Sequence, residues 1–288
     1  MDGFFNQMYR LYLIYQENNN IKIRETNKPR LLKIYDKQCE KYVKNMSAKD
    51  IILKAANCEN SGYILEAEKL FEEAVNILKK LLAEEVKVDK KETYRKRVDE
   101  YSTHVDQIKE QLKQHTLNSK LIDQIHILEH SRGNSYQQLF GQYMNGSIKE
   151  VVIYEPYLSE RYHFKNLVCF LELVVKSCRQ LKYVRVITKT DNKLPKNQLS
   201  VLQQIRSDMA QGGIIFNFTF DNALHDRKIM LSNGVIIKIG RGLHFYQPVD
   251  PIYSLGLCDY DFRRCLQTDV DIWRARPFTE EVIKFRDY

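Results

Sequence analysis

A basic run beside an Asn-Gly turn contains the residue types best suited to phosphate chemistry. The run His225-Asp226-Arg227-Lys228 precedes apolar residues 229–231, and Asn233-Gly234 comes before a second apolar run, 235–239. Asn-Gly between apolar runs is typical of a β-hairpin with a two-residue turn. An imidazole and several cations at the open end of such a hairpin could bind an anionic phosphate. The hairpin is therefore the first candidate site.

A two-residue turn fixes which residues face each other across this hairpin. It places Arg227 opposite Gly240 and His225 opposite Gly242, and it turns Lys238 toward the same face as both. That expectation follows from the alternation of side chains along a strand. The glycines opposite would leave room for a ligand to approach the backbone. The alternative is an ordinary buried hairpin with arginine and lysine at its rim.

Composition limits the function classes that need to be considered. The chain has 288 residues and a formal net charge of +8, which favours an anionic partner. Six cysteines without a CxxC spacing argue against a disulfide framework or a zinc site, and they favour a reducing cytoplasmic compartment. No metal or cofactor is expected.

Because no apolar run reaches the ~18 residues that span a bilayer, membrane contact should be peripheral. A specific nucleic-acid partner is not expected either, since no known basic-aromatic binding module is present.

The elements that must position the hairpin fall into two halves. Residues 1–46 have no sustained period and are given no fold. Residues 47–116 have helical apolar spacing, and Ser47 with Asp50 resembles a capping box at the first helix. This pattern predicts an all-α three-helix bundle. His104 lies on a charged helix of this half and is expected to be solvated.

The second half alternates helices with short apolar strands. Residues 117–134 are predicted to be a linker, and residues 135–288 are predicted to form an α/β domain. Strands are expected over 151–154, 183–188, 214–220 and 268–273. The chain is thus predicted to be a multi-domain protein, with an all-α bundle followed by an α/β domain.

Two groups of motifs carry a family resemblance. The run Ala67-x-x-x-Phe71-x-x-Ala74-x-x-x-Leu78, together with Glu100-Tyr101, resembles a MIT (microtubule-interacting and trafficking) domain. Glu155-Pro156-Tyr157, residues 229–243 and Ser254-Leu255-Gly256-x-Cys258-Asp259 resemble the phospholipase D-like domain at the C-terminus of MIT proteins. Both halves occur in the family's order and cover about residues 47–275.

The resemblance implies a cytosolic adaptor of the membrane-scission machinery. In this family the MIT domain binds the C-terminal helical tails of ESCRT-III subunits. The phospholipase D-like domain forms homodimers and binds acidic phospholipids, including phosphoinositides. The implied sites of action are the midbody during cytokinetic abscission and the late endosome membrane, where the protein would be peripheral.

The resemblance also bears on catalysis, because phospholipase D enzymes use a His-x-Lys-x4-Asp motif. His225 occupies the histidine position, but Arg227 replaces the lysine and Ser232 replaces the aspartate. Arginine can still bind phosphate, whereas the loss of the aspartate removes an orienting partner. Only one copy of the motif is present. A non-catalytic protein is therefore expected, and the alternative is a dimeric phosphodiesterase that uses His225 and Arg227.

Two sets of candidate binding residues follow from the motifs and the predicted helices. The lipid or phosphate candidates are His225, Arg227, Lys228, Lys238 and Arg241, with Arg185 and Lys189 as secondary choices. The candidates for the ESCRT-III tail groove are Leu70, Glu73, Ile77, Asp99, Ser102 and Asp106. The resemblance places an apolar anchor at position 102, where this chain has serine, so binding through the groove is expected to be weak.

Overall fold

The computed structural model describes residues 47–249, 251 and 253–275, apart from the side chain of His115. The predicted leader, 1–46, and residues 276–288 lie outside the described part of the chain. Within that part, no helix is both long and apolar enough to cross a membrane.

The N-terminal half folds as the predicted helices. These are α1 (Ala48–Asn60), α2 (Ile64–Glu84) and α3 (Val88–Leu117). The capping box is confirmed, because the Ser47 hydroxyl accepts the Asp50 N–H at 3.2 Å and the Asp50 carboxylate accepts the Ser47 N–H at 3.3 Å. Phe71 and Tyr101 stack between α2 and α3 with their ring centroids 6.1 Å apart.

The expectation that His104 is solvated is wrong. Its side chain is only 5% exposed, and its Nε2 lies 3.0 Å from the carboxylate of Glu59 on α1. Phe71 also packs edge-on against the imidazole, at 4.7 Å between ring centroids. His104 therefore connects α3 to α1. We call the three helices α1, α2 and α3 the helical bundle.

The second half is an α/β domain with a seven-stranded mixed sheet. Its strands lie in the order β1-β7-β6-β5-β2-β3-β4, where β2, β3 and β4 are parallel and the other pairs are antiparallel. The elements in chain order are β1 (Lys120–Ile127), α4 (Tyr136–Phe140), β2 (Glu150–Tyr154), α5 (Arg161–Ser177), β3 (Tyr183–Thr188), α6 (Pro195–Gln211), β4 (Ile215–Phe220), β5 (Lys228–Leu231), β6 (Val235–Ile239) and β7 (Thr268–Arg274). The predicted fold class is confirmed.

The segment predicted to be a linker, 117–134, contains a strand. β1 pairs antiparallel with β7 along one edge of the sheet, with Ile127 opposite Thr268. Most of its side chains are exposed or half-buried, so the strand lacks the apolar run that revealed β2. The α/β domain therefore begins earlier than residue 135.

Each face of the sheet is covered by apolar side chains. One face carries the main core, in which Phe140, Phe170, Phe216 and Phe245 are almost completely buried. The other face carries a smaller cluster in which Leu65 of α2 packs with residues of β2, β5 and β6. The helical bundle thus packs against the second face of the sheet.

Polar contacts accompany this packing at the first turn of α2. The buried Glu150 carboxylate of β2 accepts the backbone N–H of Glu66 at 3.0 Å and that of Leu65 at 3.4 Å. Arg185 of β3 lies 3.3 Å from Glu68 and donates to the Leu65 carbonyl at 3.4 Å. Because these contacts engage Arg185 between the bundle and the sheet, its secondary prediction as a lipid contact is wrong.

Candidate functional site

The β5–β6 hairpin forms as predicted, but with a different register. Lys228 lies opposite Lys238, and the turn has three residues, 232–234, rather than two. The Gly234 N–H donates to the Leu231 carbonyl at 3.0 Å, and Gly234 has a φ of 86°. A three-residue hairpin turn needs positive φ only at its last position, which glycine supplies. The predicted two-residue turn is therefore wrong.

The change of register alters which side chains share a face. Lys228 and Lys238 face the same side of the sheet, whereas alternation along β5 turns Arg227 to the other side. The prediction that His225, Arg227 and Lys238 share one strand face is therefore wrong. These residues nevertheless meet at the open end of the hairpin. There, an open depression of about 380 Å³ is lined by His225, Arg227, Lys228 and Lys238, which we call the basic depression.

Each of the three cations of the basic depression makes a cation–π contact with an aromatic ring. The Arg227 guanidinium lies 5.0 Å from the centre of the Tyr157 ring. The Lys228 ammonium lies 4.7 Å from the Tyr154 ring centre, and that of Lys238 lies 5.0 Å from the Trp273 ring centre. Such contacts position a cation without neutralising its charge. Lys228 also forms an ion pair with Asp226, which partly balances its charge, and Arg227 donates to the Gly240 carbonyl at 2.9 Å.

Three aspartates also line the basic depression, and each has a partner. Asp226 pairs with Lys228 at 3.0 Å. Asp269 binds His126 of β1, and Asp271 accepts a hydrogen bond from Gln124 of β1 at 2.7 Å. The edge strand β1 therefore provides partners for two of the three carboxylates.

Arg241 does not line the depression. Its side-chain Nε donates to the Gln267 carbonyl at 2.9 Å, and its backbone N–H donates to the Thr268 hydroxyl at 3.1 Å. The remaining secondary candidate, Lys189, lies 5.7 Å from the centre of the Tyr157 ring, which it shares with Arg227. Tyr157 therefore links the loop after β2 to two of the predicted basic residues.

The two glycines that follow β6, Gly240 and Gly242, both lie close to other protein atoms. A Cβ at Gly240 would lie 3.0 Å from the Thr268 hydroxyl, and a Cβ at Gly242 would lie 2.0 Å from the Glu155 carboxylate. The prediction that these glycines leave room for a ligand is therefore wrong for Gly242, whereas Gly240 lines the basic depression. Gly242 also has a φ of 62°, a conformation that glycine adopts easily.

Glu155 belongs to a buried polar cluster that the sequence did not indicate. Its carboxylate accepts the Leu243 N–H at 3.0 Å, and its other oxygen lies 3.6 Å from Nε2 of His244. The His244 ring lies 4.2 Å from that of His163, between ring centroids. Burial raises the pKa of Glu155 to about 7, and burial, together with His163 and Arg227, lowers the pKa of His244 to about 3. Both groups thus favour their neutral forms.

His225 itself is exposed at the rim of the basic depression. Ser232, at the motif's aspartate position, lies in the hairpin turn, where its hydroxyl accepts the backbone N–H groups of Lys149 at 2.9 Å and Glu150 at 3.2 Å. The serine therefore fixes the start of β2 and does not orient the imidazole.

The predicted tail-groove residues lie on the two longest helices. Leu70 is buried, and it is therefore a core residue rather than a groove surface. Glu73 and Ile77 on α2 and Ser102 on α3 are half-buried, and Asp99 and Asp106 on α3 are exposed. An ion pair between Lys109 and Glu72 connects the same two helices.

Comparisons with known families agree with this two-part architecture. A model of the MIT (microtubule interacting and transport) domain matches residues 46–110. A model of the phospholipase D-like domain at the C-terminus of MIT matches residues 133–274. The chain therefore belongs to the proteins that join a MIT domain to this phospholipase D-like domain. MIT domain-containing protein 1 of Mus musculus is 28% identical over 227 residues, which cover 78% of this chain and 91% of the mouse protein.

Proposed function

We propose that this chain is a non-catalytic adaptor that binds acidic phospholipids through the basic depression and ESCRT-III tails through its MIT domain. The observation that carries the lipid part is the set of three cations, each placed on an aromatic ring, around one open depression. A lysine or arginine near an anionic membrane contributes about 1 kcal/mol. Several cations on one surface therefore give useful affinity, and phosphoinositides are the proposed high-charge ligands.

The tail-binding part of the proposal is supported by the MIT domain and by the accessible residues on α2 and α3. An amphipathic helix laid between these two helices would contact Ile77 and Ser102 and face the acidic groups Glu73, Asp99 and Asp106. Because the MIT domain is a general binder of ESCRT-III tails, this class of partner fits the domain. The acidic rim suits a tail that carries basic residues.

The absence of catalysis is proposed from the hairpin. His225 is exposed, and the residue at the aspartate position is a serine that binds backbone N–H groups elsewhere. A phosphodiester cleaved by a histidine nucleophile needs that imidazole oriented and the phosphate oxygens held. Arg227 can supply the second requirement, but no carboxylate of the motif supplies the first.

The resemblance further supports a homodimer that acts as a peripheral protein at late endosome membranes and at the midbody. A dimer would present two basic depressions and two tail grooves, and avidity would then increase binding to a membrane coated with ESCRT-III. Light scattering of the full chain tests the dimer. Imaging of a fluorescent fusion in dividing cells tests the location.

The adaptor proposal is tested by asking whether the full chain carries a tail to a membrane. A fluorescent ESCRT-III tail peptide is mixed with vesicles of phosphatidylcholine and phosphatidylserine and then sedimented. The peptide should sediment with the vesicles only when the chain is present. A peptide that remains in solution, although the chain itself sediments, contradicts the adaptor function.

A further inference from the structure

The loop before β7 exposes an unusual set of large apolar side chains. Tyr253 is 91% exposed and Leu255 is 72% exposed, while Leu257 and Phe262 are each 45% exposed. Single exposed leucines are ordinary in proteins, but four large apolar residues within ten positions form a patch that calls for an explanation. We call residues 253–262 the apolar loop.

Hydrogen bonds fix the base of the apolar loop. The Arg263 side chain donates to the Leu257 carbonyl at 2.9 Å and to the carbonyl of Gly256, and it lies 4.5 Å from the centre of the Tyr260 ring. The Tyr260 hydroxyl in turn donates to Asn166 of α5 at 3.2 Å. Residues 256–263 of the apolar loop are therefore bonded to the domain.

Charges near the loop favour an anionic surface. Exposed Arg264 follows the loop directly, and exposed Arg132 precedes Gly133, whose N–H donates to the Asp261 carbonyl at 2.7 Å. Two carboxylates lie in the same stretch, because Asp261 accepts the Ser135 N–H at 3.1 Å and the exposed Asp259 accepts the Asp261 N–H at 2.9 Å. Arg132, Arg263 and Arg264 outnumber these two carboxylates. The whole chain has a net charge of +8. Arginines beside protruding leucine and tyrosine side chains suit an acidic bilayer, where aromatic residues lie at the headgroup level and apolar ones enter the acyl boundary.

We infer that the apolar loop inserts into the headgroup region of acidic bilayers, with Tyr253, Leu255 and Leu257 as the inserting residues. This inference rests on the proposed lipid-binding function and adds a second membrane contact to the basic depression. A second copy of this chain is the less favoured occupant. A stable protein interface buries about 800 Å² on each partner, which four side chains do not supply by themselves.

Vesicle sedimentation of the full chain tests the inference. The vesicles contain phosphatidylcholine and phosphatidylserine, with pure phosphatidylcholine as the comparison. Leu255→Glu should weaken binding about tenfold or more, because it places a charge where apolar surface is expected to be buried. Leu53→Glu on α1 is the matched control, since Leu53 is 61% exposed and the charge change is the same. The control should bind like the parent chain.

A second readout reports insertion directly. Leu255→Trp should show a blue-shifted emission on vesicles, and brominated lipids should quench it beyond the signal of Trp273, the one native tryptophan. Equal vesicle binding by Leu255→Glu and the parent overturns the loop inference but leaves the proposed lipid function intact. Failure of the parent itself to bind acidic vesicles overturns both. A third result would also overturn the inference. If Leu255→Glu binds vesicles more weakly and no longer dimerises, and if Leu255→Trp is not quenched by brominated lipids, the loop contacts a second copy of the chain.

Discussion

The Glu150 carboxylate accepts the backbone N–H of Glu66 at 3.0 Å, so that a side chain of the sheet binds the first turn of α2. The first N–H groups of a helix have no partner within the helix, and a carboxylate is a favourable acceptor for them. Glu150 also accepts the N–H of Leu65. Burial nevertheless raises the pKa of Glu150 to about 8, although both hydrogen bonds lower it. The contact between the helical bundle and the sheet therefore depends on a carboxyl group that titrates near neutral pH.

The raised pKa of Glu150 predicts that stability falls as pH rises. The folded protein holds this proton up to about pH 8, whereas the unfolded chain releases it near the ordinary value of 4.5. Because the folded state binds more protons in that window, the free energy of unfolding should fall by a few kcal/mol from about pH 5 to pH 8. Glu155, whose pKa is raised to about 7 by burial, contributes with the same sign.

Denaturant unfolding at several pH values measures this effect. Glu150→Gln should flatten the decline, because glutamine does not titrate, while Glu100→Gln at an exposed position of α3 should leave it unchanged. An identical pH profile in Glu150→Gln and the parent would contradict the assigned role of the buried carboxyl.

The close approach of Glu155 to Gly242 predicts a large cost for a methyl group at this glycine. Gly242→Ala would combine backbone strain with a clash against the carboxylate, for a loss of about 2–4 kcal/mol. Gly213→Ala is the matched control, since Gly213 has a φ of 72° but nothing within 4 Å of the added Cβ. It should cost only about 1–2 kcal/mol. Equal thermal destabilisation of the two variants would show that Glu155 does not occupy this space.

The serine in the middle of α3 predicts that tail binding can be strengthened. Ser102→Leu would place an apolar side chain at this half-buried position of the proposed groove and should tighten binding of an ESCRT-III tail peptide about tenfold. Thr103→Leu, at the exposed neighbouring position, should leave the affinity unchanged. Calorimetric titration of the full chain measures both. If Ser102→Leu does not increase the affinity for the peptide, the tail binds to another surface.

The geometry of the hairpin predicts that the chain does not hydrolyse phosphodiesters. His225 is exposed and Ser232 is engaged with the backbone of 149 and 150, so bis-p-nitrophenyl phosphate should remain intact over hours with the full chain. Turnover that disappears in His225→Ala but persists in His126→Ala would instead support the dimeric phosphodiesterase.

Local patterns predicted most of the elements but not their long-range partners. β3 matches its predicted range, 183–188, because β-branched and aromatic residues fill every position except Arg185, whereas Asp123, Gln124 and His126 interrupt the apolar residues of β1. The hairpin was predictable from Asn233-Gly234, yet its register depended on whether Ser232 joined the turn. That one residue decides which face carries Lys238.

The buried cluster could not be predicted for a different reason. Glu155 and His244 lie 89 positions apart in the chain, and only the packing of the β2 end against the residues after β6 brings them within 3.6 Å. Glu155-Pro156-Tyr157 carried a family resemblance, but no local spacing connected it to a histidine. The burial of His104 likewise depends on Glu59, which lies on a different helix.

The most direct test of the central claim is acidic-vesicle binding by the double variant Lys228→Glu with Lys238→Glu. Both side chains line the basic depression, and their reversal should weaken sedimentation of the full chain with phosphoinositide vesicles roughly tenfold or more. Lys176→Glu with Arg179→Glu, at exposed positions in and just after the last turn of α5, changes the net charge equally and should retain most of the binding. If the two double variants bind equally well, the basic depression is not the lipid site.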